Sequence, residues 1–313
     1  MQNKTSKSLF GIDINEYTQD VQFNIIATKI DFLYLRSSGS GSGRFRVDKK
    51  FFDFAKSSRE YGIPVGAYHF GVPSYDLTDA DRQCDDFINV LQQGFGNKNY
   101  GDLLPVLDVE TPVDKTISTK TLIEWIDRFR KRFEKKTRRR LMLYTGLFFI
   151  ELYDNFYVEG KGYPLKNMPL WIAMYTNVSI NPSIPPDVGG WTHWRVWQYS
   201  EGQVVQGVGS PVDANWGPNN IALLMQPEIV TGLKAQMKNG KIYVSWNRNR
   251  DVDLLGYNIF LNKEWVGTVD ENATSYVISG EKINKIKTRP LEVTIEAFDY
   301  DGEASQTRAK VRL

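Results

Sequence analysis

Two periods of apolar residues divide this chain. Up to about residue 225, short apolar runs alternate with stretches whose apolar positions recur every three to four residues. The runs predict strands at 9–14, 31–36, 63–70, 103–109, 141–144, 169–174 and 195–199, with a last segment ending at Asp213. Between them lie helical patterns. Over 80–91, Cys84, Phe87, Ile88 and Leu91 fall on one helix face; over 121–136, Leu122, Ile126, Phe129 and Phe133 do the same. Thr121 followed by Glu124 fits a capping box. Strands alternating with helices imply parallel strands joined by crossovers, and about eight of them suggest a closed barrel with some short or missing helices.

After Gln226-Pro227 the helical period disappears and alternation takes over. Ile242, Val244 and Trp246, then Tyr257, Ile259 and Leu261, then Leu291, Val293, Ile295 and Ala297, then Ala309, Val311 and Leu313 each follow a period of two. Asn239-Gly240 and Asp301-Gly302 are hairpin turn signals. The expected fold class is therefore α/β over residues 1–225, an irregular TIM-like (β/α) barrel. A small all-β, immunoglobulin-like sandwich follows over 226–313.

Composition narrows the chemistry. The 313 residues include one Cys and two His, so Cys-based zinc clusters, three-His metal sites and internal disulfides are excluded. The formal charge of +2, shared evenly between the two parts, gives no reason to expect nucleic acid as a partner. No window approaches the ~18 apolar residues of a membrane span. Met1 to Phe10 contains neither an apolar core nor a small-residue cleavage site, so it is not read as a secretory signal. Carboxylates remain as the means of hard chemistry.

The sharpest feature is Leu103-Leu-Pro-Val-Leu-Asp108-Val-Glu110. Two residues apart on a strand, Asp108 and Glu110 point to one face, just before Thr111-Pro112 breaks the strand. Active sites of β/α barrels lie at that end of the strands. Asp13, Arg36, Tyr68 with His69, Tyr144, Tyr175, Gln198 and Asp213 end their strands in the same way. Three Asp and one Glu converging on one mouth cannot all ionise freely, so at least one carboxyl should be held protonated as a general acid requires. A divalent metal among the carboxylates is the alternative, disfavoured because the surroundings are aromatic rather than acidic. No cofactor is expected.

Residues 9 to about 217 resemble the lysozyme-type muramidases of glycoside hydrolase family 25. The matching pieces are Gly11-Ile-Asp13-Ile, Gly66-Ala-Tyr68-His-Phe70, Leu104-Pro-Val-Leu-Asp108-Val-Glu110, Tyr144-Thr, Leu170-Trp-Ile-Ala173-x-Tyr175, Trp197-Gln-Tyr199 and Val212-Asp213-x-Asn215. The resemblance implies hydrolysis of the β-1,4 bond between N-acetylmuramic acid and N-acetylglucosamine in peptidoglycan. It implies Glu110 as general acid/base, Asp108 as the group that positions the 2-acetamido arm, and Asp13 and Asp213 as the rest of an acidic floor. Arg36, Tyr68, Tyr144, Trp171, Tyr175 and Gln198 are the expected substrate contacts. The stretch Asn15-Glu-Tyr-Thr-Gln-Asp-Val-Gln-Phe23 departs from the family's usual Ser and Gln-Gly-x-Ile-Asp-Trp-like run, so no sugar contacts carry over to that loop. The competing reading is a catalytically inactive wall-glycan-binding barrel. Without a leader, the expected setting is a phage or prophage lysin, soluble in the host cytoplasm before release or carried on a virion.

Residues 228–313 resemble a fibronectin type III domain through Trp246, Gly256-Tyr257-Asn-Ile259 and the pattern from Leu291 to Ser305, with Leu291 where a corner Tyr usually stands. The domain reads as a spacer or as a module docking to cell wall or virion. Other features have plain readings. The basic run 128–140 is the solvated face of a helix or a steering patch. Ser38-Gly-Ser-Gly-Ser-Gly43 lacks the Gly-Lys-Ser/Thr ending of a phosphate loop and reads as a flexible loop over the mouth. Cys84 is a core residue, His69 either structural or near the site, and Trp171, Trp191, Trp194 and Trp197 are divided between core and cleft.

Overall fold

The computed structural model describes residues 1–41 and 43–313; Ser42, within the glycine–serine stretch, lies outside them. The chain forms two compact units, Met1–Leu224 and Met225–Leu313. The first contains β1 (Phe10–Ile14), β2 (Phe32–Gly39), β3 (Val65–Phe70), β4 (Val106–Asp108), β5 (Met142–Gly146), β6 (Leu170–Ala173), β7 (Val196–Gln203) and β8 (Val212–Trp216). Strands β1 to β7 pair in parallel in chain order, and β8 lies antiparallel between β7 and β1, which closes the barrel. Arg46–Val47 forms a two-residue strand against the end of β2.

The last strand corrects the sequence reading. Asp213 does not end a parallel strand but is the second residue of an antiparallel one. The connection 204–211 holds no helix and is shorter than the dozen or more residues a parallel crossover needs. A reversed strand brings its first residues to the mouth, so Asp213 still reaches the C-terminal ends of the other strands, opposite Asp13 in the β1 register.

Helices cover the outside unevenly. They are α1 (Phe23–Ile26), α2 (Phe51–Glu60), α3 (Leu77–Phe95), α4 (Thr119–Thr137) and α5 (Leu147–Leu152); the chain from β6 to β7 has none. Asp76 caps α3 by accepting from the Thr78 N–H. At α4 the cap is Ser118, which accepts from the Thr121 N–H, so Thr121 stands inside the helix and is not its cap. Glu124 instead pairs with Lys120 and Lys161. No helix of the described residues is long and apolar enough to cross a membrane.

Period two sorts the barrel strands into two faces. Ile12, Ile14, Leu33, Leu35, Val65, Ala67, Leu107, Leu143 and Ile172 join the core that packs under the helices. The alternate positions, Asp13, Phe32, Tyr34, Arg36, Tyr68, Asp108, Tyr144, Trp171 and Gln198, belong to the lumen. The lumen is filled by aromatics: Tyr34 lies 4.7 Å from Trp171 by ring centroids, and Tyr144 meets Trp171 edge-on at 5.0 Å. Gly66 makes that filling possible, since a Cβ there would stand 2.4 Å from the Tyr34 ring.

The second unit has a three-stranded and a four-stranded sheet. Strands β9 (Lys234–Lys238), β10 (Lys241–Ser245), β11 (Leu254–Leu261), β12 (Glu264–Asp270), β13 (Ser275–Ile278), β14 (Glu292–Asp299) and β15 (Ala309–Arg312) are arranged as β9-β10-β13 and β12-β11-β14-β15. All pairings are antiparallel. Asn239 and Gly240 have φ of 51° and 72°, as a tight hairpin between β9 and β10 requires. Ile242 and Val244 from one sheet and Tyr257, Ile259, Val293 and Ile295 from the other share one core, beside Trp246.

The close approach at Gly66 is testable. Gly66→Ala should overpack the lumen and lower stability by about 1–3 kcal/mol, read from urea unfolding. A variant as stable as the parent would show that Tyr34 and Leu103 yield without cost.

Candidate active site

The lumen opens at the C-terminal ends of the parallel strands into a pocket of about 180 Å³. Its walls bring together Asp13, Asp108, Glu110 and Asp213, with Arg36, Tyr68, Tyr144, Trp171 and Gln198 around them. Tyr175 stands behind, its hydroxyl donating to Gln198 Oε1 at 3.1 Å. Strand β4 ends at Asp108, earlier than the sequence pattern suggests. The Val109 N–H still donates to the Tyr144 carbonyl at 3.0 Å, which carries the register far enough for Glu110 to join the same wall.

Two amides hold the centre. Asp13 Oδ1 accepts from Gln198 Nε2 at 3.0 Å and from Asn215 Nδ2 at 2.8 Å. Each amide is oriented from its other end. Gln198 Oε1 accepts from the Tyr144 hydroxyl at 2.9 Å as well as from Tyr175, and Asn215 Oδ1 accepts from Trp171 Nε1 at 2.8 Å. The oxygens face donors, so the nitrogens face Asp13.

Every carboxyl of the group is pushed upward. Burial raises Asp13, although the Asn215, Gln198 and Asp213 hydrogen bonds oppose it. Burial, then the charges of Glu110 and Asp13, raise Asp108 far above the ordinary range, with Arg36 opposing. Burial and the charge of Asp13 raise Glu110. Burial and the hydrogen-bonded Asp13 push Asp213 up to about 9. Asp213 therefore holds a proton at neutral pH and donates it to Asp13, while Asp108 Oδ1 is buried without a hydrogen-bond partner. The pocket can thus offer a protonated acid, an acceptor oxygen seeking a donor, and a carboxyl fixed by amides. Among the described residues no three His, Cys, Asp or Glu side chains are placed to hold a metal ion.

Residues 12–208 match the family model of glycosyl hydrolases family 25. The chain belongs to this family. The match covers every residue that lines the pocket except Asp213, and it makes the chain a glycoside hydrolase. A solved structure, the spore cortex lytic enzyme SleM of Clostridium perfringens, is 56% identical with a TM-score of 0.96, covering 100% of this chain and 99% of that one. The N,O-diacetylmuramidase of Arthroderma benhamiae is 32% identical over 209 residues, 62% of this chain and 77% of the relative. Lysozyme M1 of Streptomyces globisporus is 28% identical over 211 residues, 66% of each chain.

Three residues at the pocket stand in the quoted motifs but were assigned no role from the sequence. Asn15 and Phe70 line the pocket, and Asn215 lies fully buried beneath it. Asn215 was detectable, because it sits two residues from Asp213 on one strand and so shares its face. The tryptophans resolve toward the interior. Trp191, Trp194 and Trp197 are buried and donate to the carbonyls of Met168, Gln2 and Met174, which leaves no open face for a sugar. Trp171 reaches the pocket only as its floor, at 1% exposure. His69 is structural: it is fully buried, hydrogen-bonded to Ser38 and Gln83, and stacked against Phe45, Phe87 and Phe129. Burial lowers its pKa to about 4, so it stays neutral. Cys84 is likewise buried, its thiol pushed up to about 12.

The basic run is largely neutralised. Arg128 pairs with Asp81, and Arg132 and Lys136 with Asp85, all across from α4 to α3. Arg130 and Lys131 pair with Asp127, and Arg140 with Glu134, within or beside α4.

Asp213 gives the site a signature in stability. Its folded pKa, about 9, lies above the ordinary value of 3.8, so the native state keeps a proton that the unfolded chain releases. Stability from this group is full at acidic pH and falls as pH rises toward 9. Asp213→Asn keeps a donor toward Asp13 and should flatten that fall, measured by urea unfolding at several pH values. An unchanged slope would contradict a protonated Asp213.

Proposed function

We propose that this glycoside hydrolase is an N-acetylmuramidase, cleaving the β-1,4 bond between N-acetylmuramic acid and N-acetylglucosamine in peptidoglycan. One juxtaposition carries the reading: a carboxyl raised by burial, Glu110, beside Asp108, whose Oδ1 is buried and unpaired, in one pocket at the barrel mouth. A 2-acetamido N–H is a donor that Asp108 lacks. Accepting it would aim the acetamido carbonyl oxygen at the anomeric carbon. That oxygen forms the new bond to carbon as Glu110 gives its proton to the departing glycosidic oxygen. Ionised Glu110 then takes a proton from the water that reopens the cyclic intermediate, and the configuration is retained. Asp13 and protonated Asp213 form the floor, and Arg36, Tyr68, Tyr144, Tyr175, Gln198 and Trp171 frame the sugar.

The likeness to a spore cortex lytic enzyme over the whole chain favours the spore cortex as the target wall, in place of the phage or prophage setting that the N-terminal sequence suggested. For residues 226–313, the three- and four-stranded antiparallel sheets support a fibronectin type III-like module.

Glu110→Gln should lower turnover at least about 10²-fold, followed as new reducing ends from peptidoglycan, while unfolding behaviour stays unchanged. Near-normal release by this variant would remove Glu110 from the chemistry. NMR of the first-formed product decides the route: a β anomer is expected, and an α anomer would exclude acetamido participation with retention.

A further inference from the structure

We propose that a second cleft, opening beside the catalytic pocket, binds the carboxylate on the side arm of a muramoyl residue. This rests on the muramidase reading and extends it to one substrate group. The cleft has a volume of about 710 Å³ and shares Arg36 and Phe70 with the catalytic pocket, so the two are adjacent. Its far wall is built by Glu16 and Tyr17, in the stretch where the sequence departs from the family pattern, and by Arg46, Lys49 and Lys50.

The acids of this wall are already engaged. Glu16 is held by Arg46 at 2.6 Å and 2.8 Å and by the Lys49 N–H at 2.9 Å. Asp48 accepts from Arg36 Nε at 3.0 Å, the Glu16 N–H at 3.0 Å and the Lys50 N–H at 3.1 Å. Within this cleft the cations outnumber the acids: Arg36, Arg46, Lys49 and Lys50 line it with Glu16 and Asp48, and Arg36 also faces Asp108 of the catalytic pocket. Arg36 Nη2 is buried and makes no hydrogen bond, lying 3.5 Å from Glu16 Oε1. A buried donor with an ion pair but no hydrogen bond is costly, and a guanidinium pairs best with a close anionic oxygen. Beside it Tyr17 is 70% exposed, its ring 5.1 Å from the Arg36 guanidinium. An open aromatic face next to an unsatisfied cationic donor suits a sugar ring bearing a carboxylate. Neutral glycan would leave the surplus charge unanswered.

The test is steady-state kinetics of the full chain on three soluble glycan preparations: strands with free lactyl carboxylates, the same strands amidated at those carboxylates, and strands carrying peptide stems. The parent should show a KM about tenfold lower for carboxylate-bearing than for amidated strands. Lys49→Glu and Tyr17→Ala, both at exposed positions, should raise KM on carboxylate-bearing strands about tenfold, with kcat moving less than about twofold. Lys49→Glu should also erase the preference. A preference confined to peptide-bearing strands would support the cleft and place the recognised carboxylate on the peptide. Equal KM on all three strands, or a preference that survives Lys49→Glu, overturns the cleft while leaving the muramidase reading intact. Failure of the parent to release reducing ends from any strand overturns both.

Discussion

The arrangement turns on how a carboxyl is buried without a cation in contact. Asp13 is almost wholly buried among three other carboxyls, and the groups that touch it are two amides and a protonated acid. Amides can serve only if they cannot flip, and here neither is free to. Tyr144 and Tyr175 occupy the oxygen of Gln198, and the Trp171 indole occupies that of Asn215. The aromatic filling of the lumen is therefore also the orienting layer of the acidic site. Asn215 is available because β8 runs backward, which sets Asp213 opposite Asp13 and Asn215 opposite Gln198. Closure of the barrel and polarity of the pocket rest on one set of contacts.

A barrel strand can meet both demands because its side chains alternate. Outward positions supply aliphatic contacts to the helices, and inward positions are free to be aromatic deep in the lumen and polar at its rim. The cost falls on the inner layer, where large rings must fit around one another. Gly66 relieves it at the point where Tyr34 passes closest to the neighbouring strand. Clustered carboxyls impose a second cost, which protonation reduces. With Asp213 neutral and Glu110 raised, fewer negative charges face one another than the residue types suggest.

These features differ in how far they are written locally. The inward residues Asp13, Arg36, Tyr68, Asp108, Tyr144 and Gln198 were legible because period two and strand ends are local patterns, whereas Trp171 was left between core and cleft and Asp213 was set at the wrong end of its strand. The direction of β8 was not, since an apolar run carries no sign of the way its neighbours run; only the length of the preceding connection hinted at it. The start of α4 was misplaced because Ser118 and Thr121 are both good caps, and the choice depends on where the backbone leaves its extended conformation. The basic run of α4 could be judged only once α3 lay beside it, because Asp81 and Asp85 are remote in sequence. Asn215 and the Tyr17 wall show a third limit: a hydrogen-bonding partner is chosen by space, and composition does not report it.

That last pairing bears on how an anionic polymer approaches an acidic pocket. Bulk attraction is weak, as the net charge is +2 and the conspicuous cations of α4 are tied to acids of α3 and α4. Exposed pairs of this kind contribute little to stability, but they remove the long-range field the lysines and arginines would otherwise project. Short-range compensation then falls to groups at the pocket itself. Arg36 meets that need from both sides: it lowers the pKa of Asp108 in one cavity, and at the edge of the next its Nη2 is ion-paired with Glu16 but not hydrogen-bonded. A guanidinium pinned by Asp48 and leaning on Tyr17 holds its place without substrate. Close-range contacts at the pocket, rather than a long-range field, are what this distribution of charge leaves available.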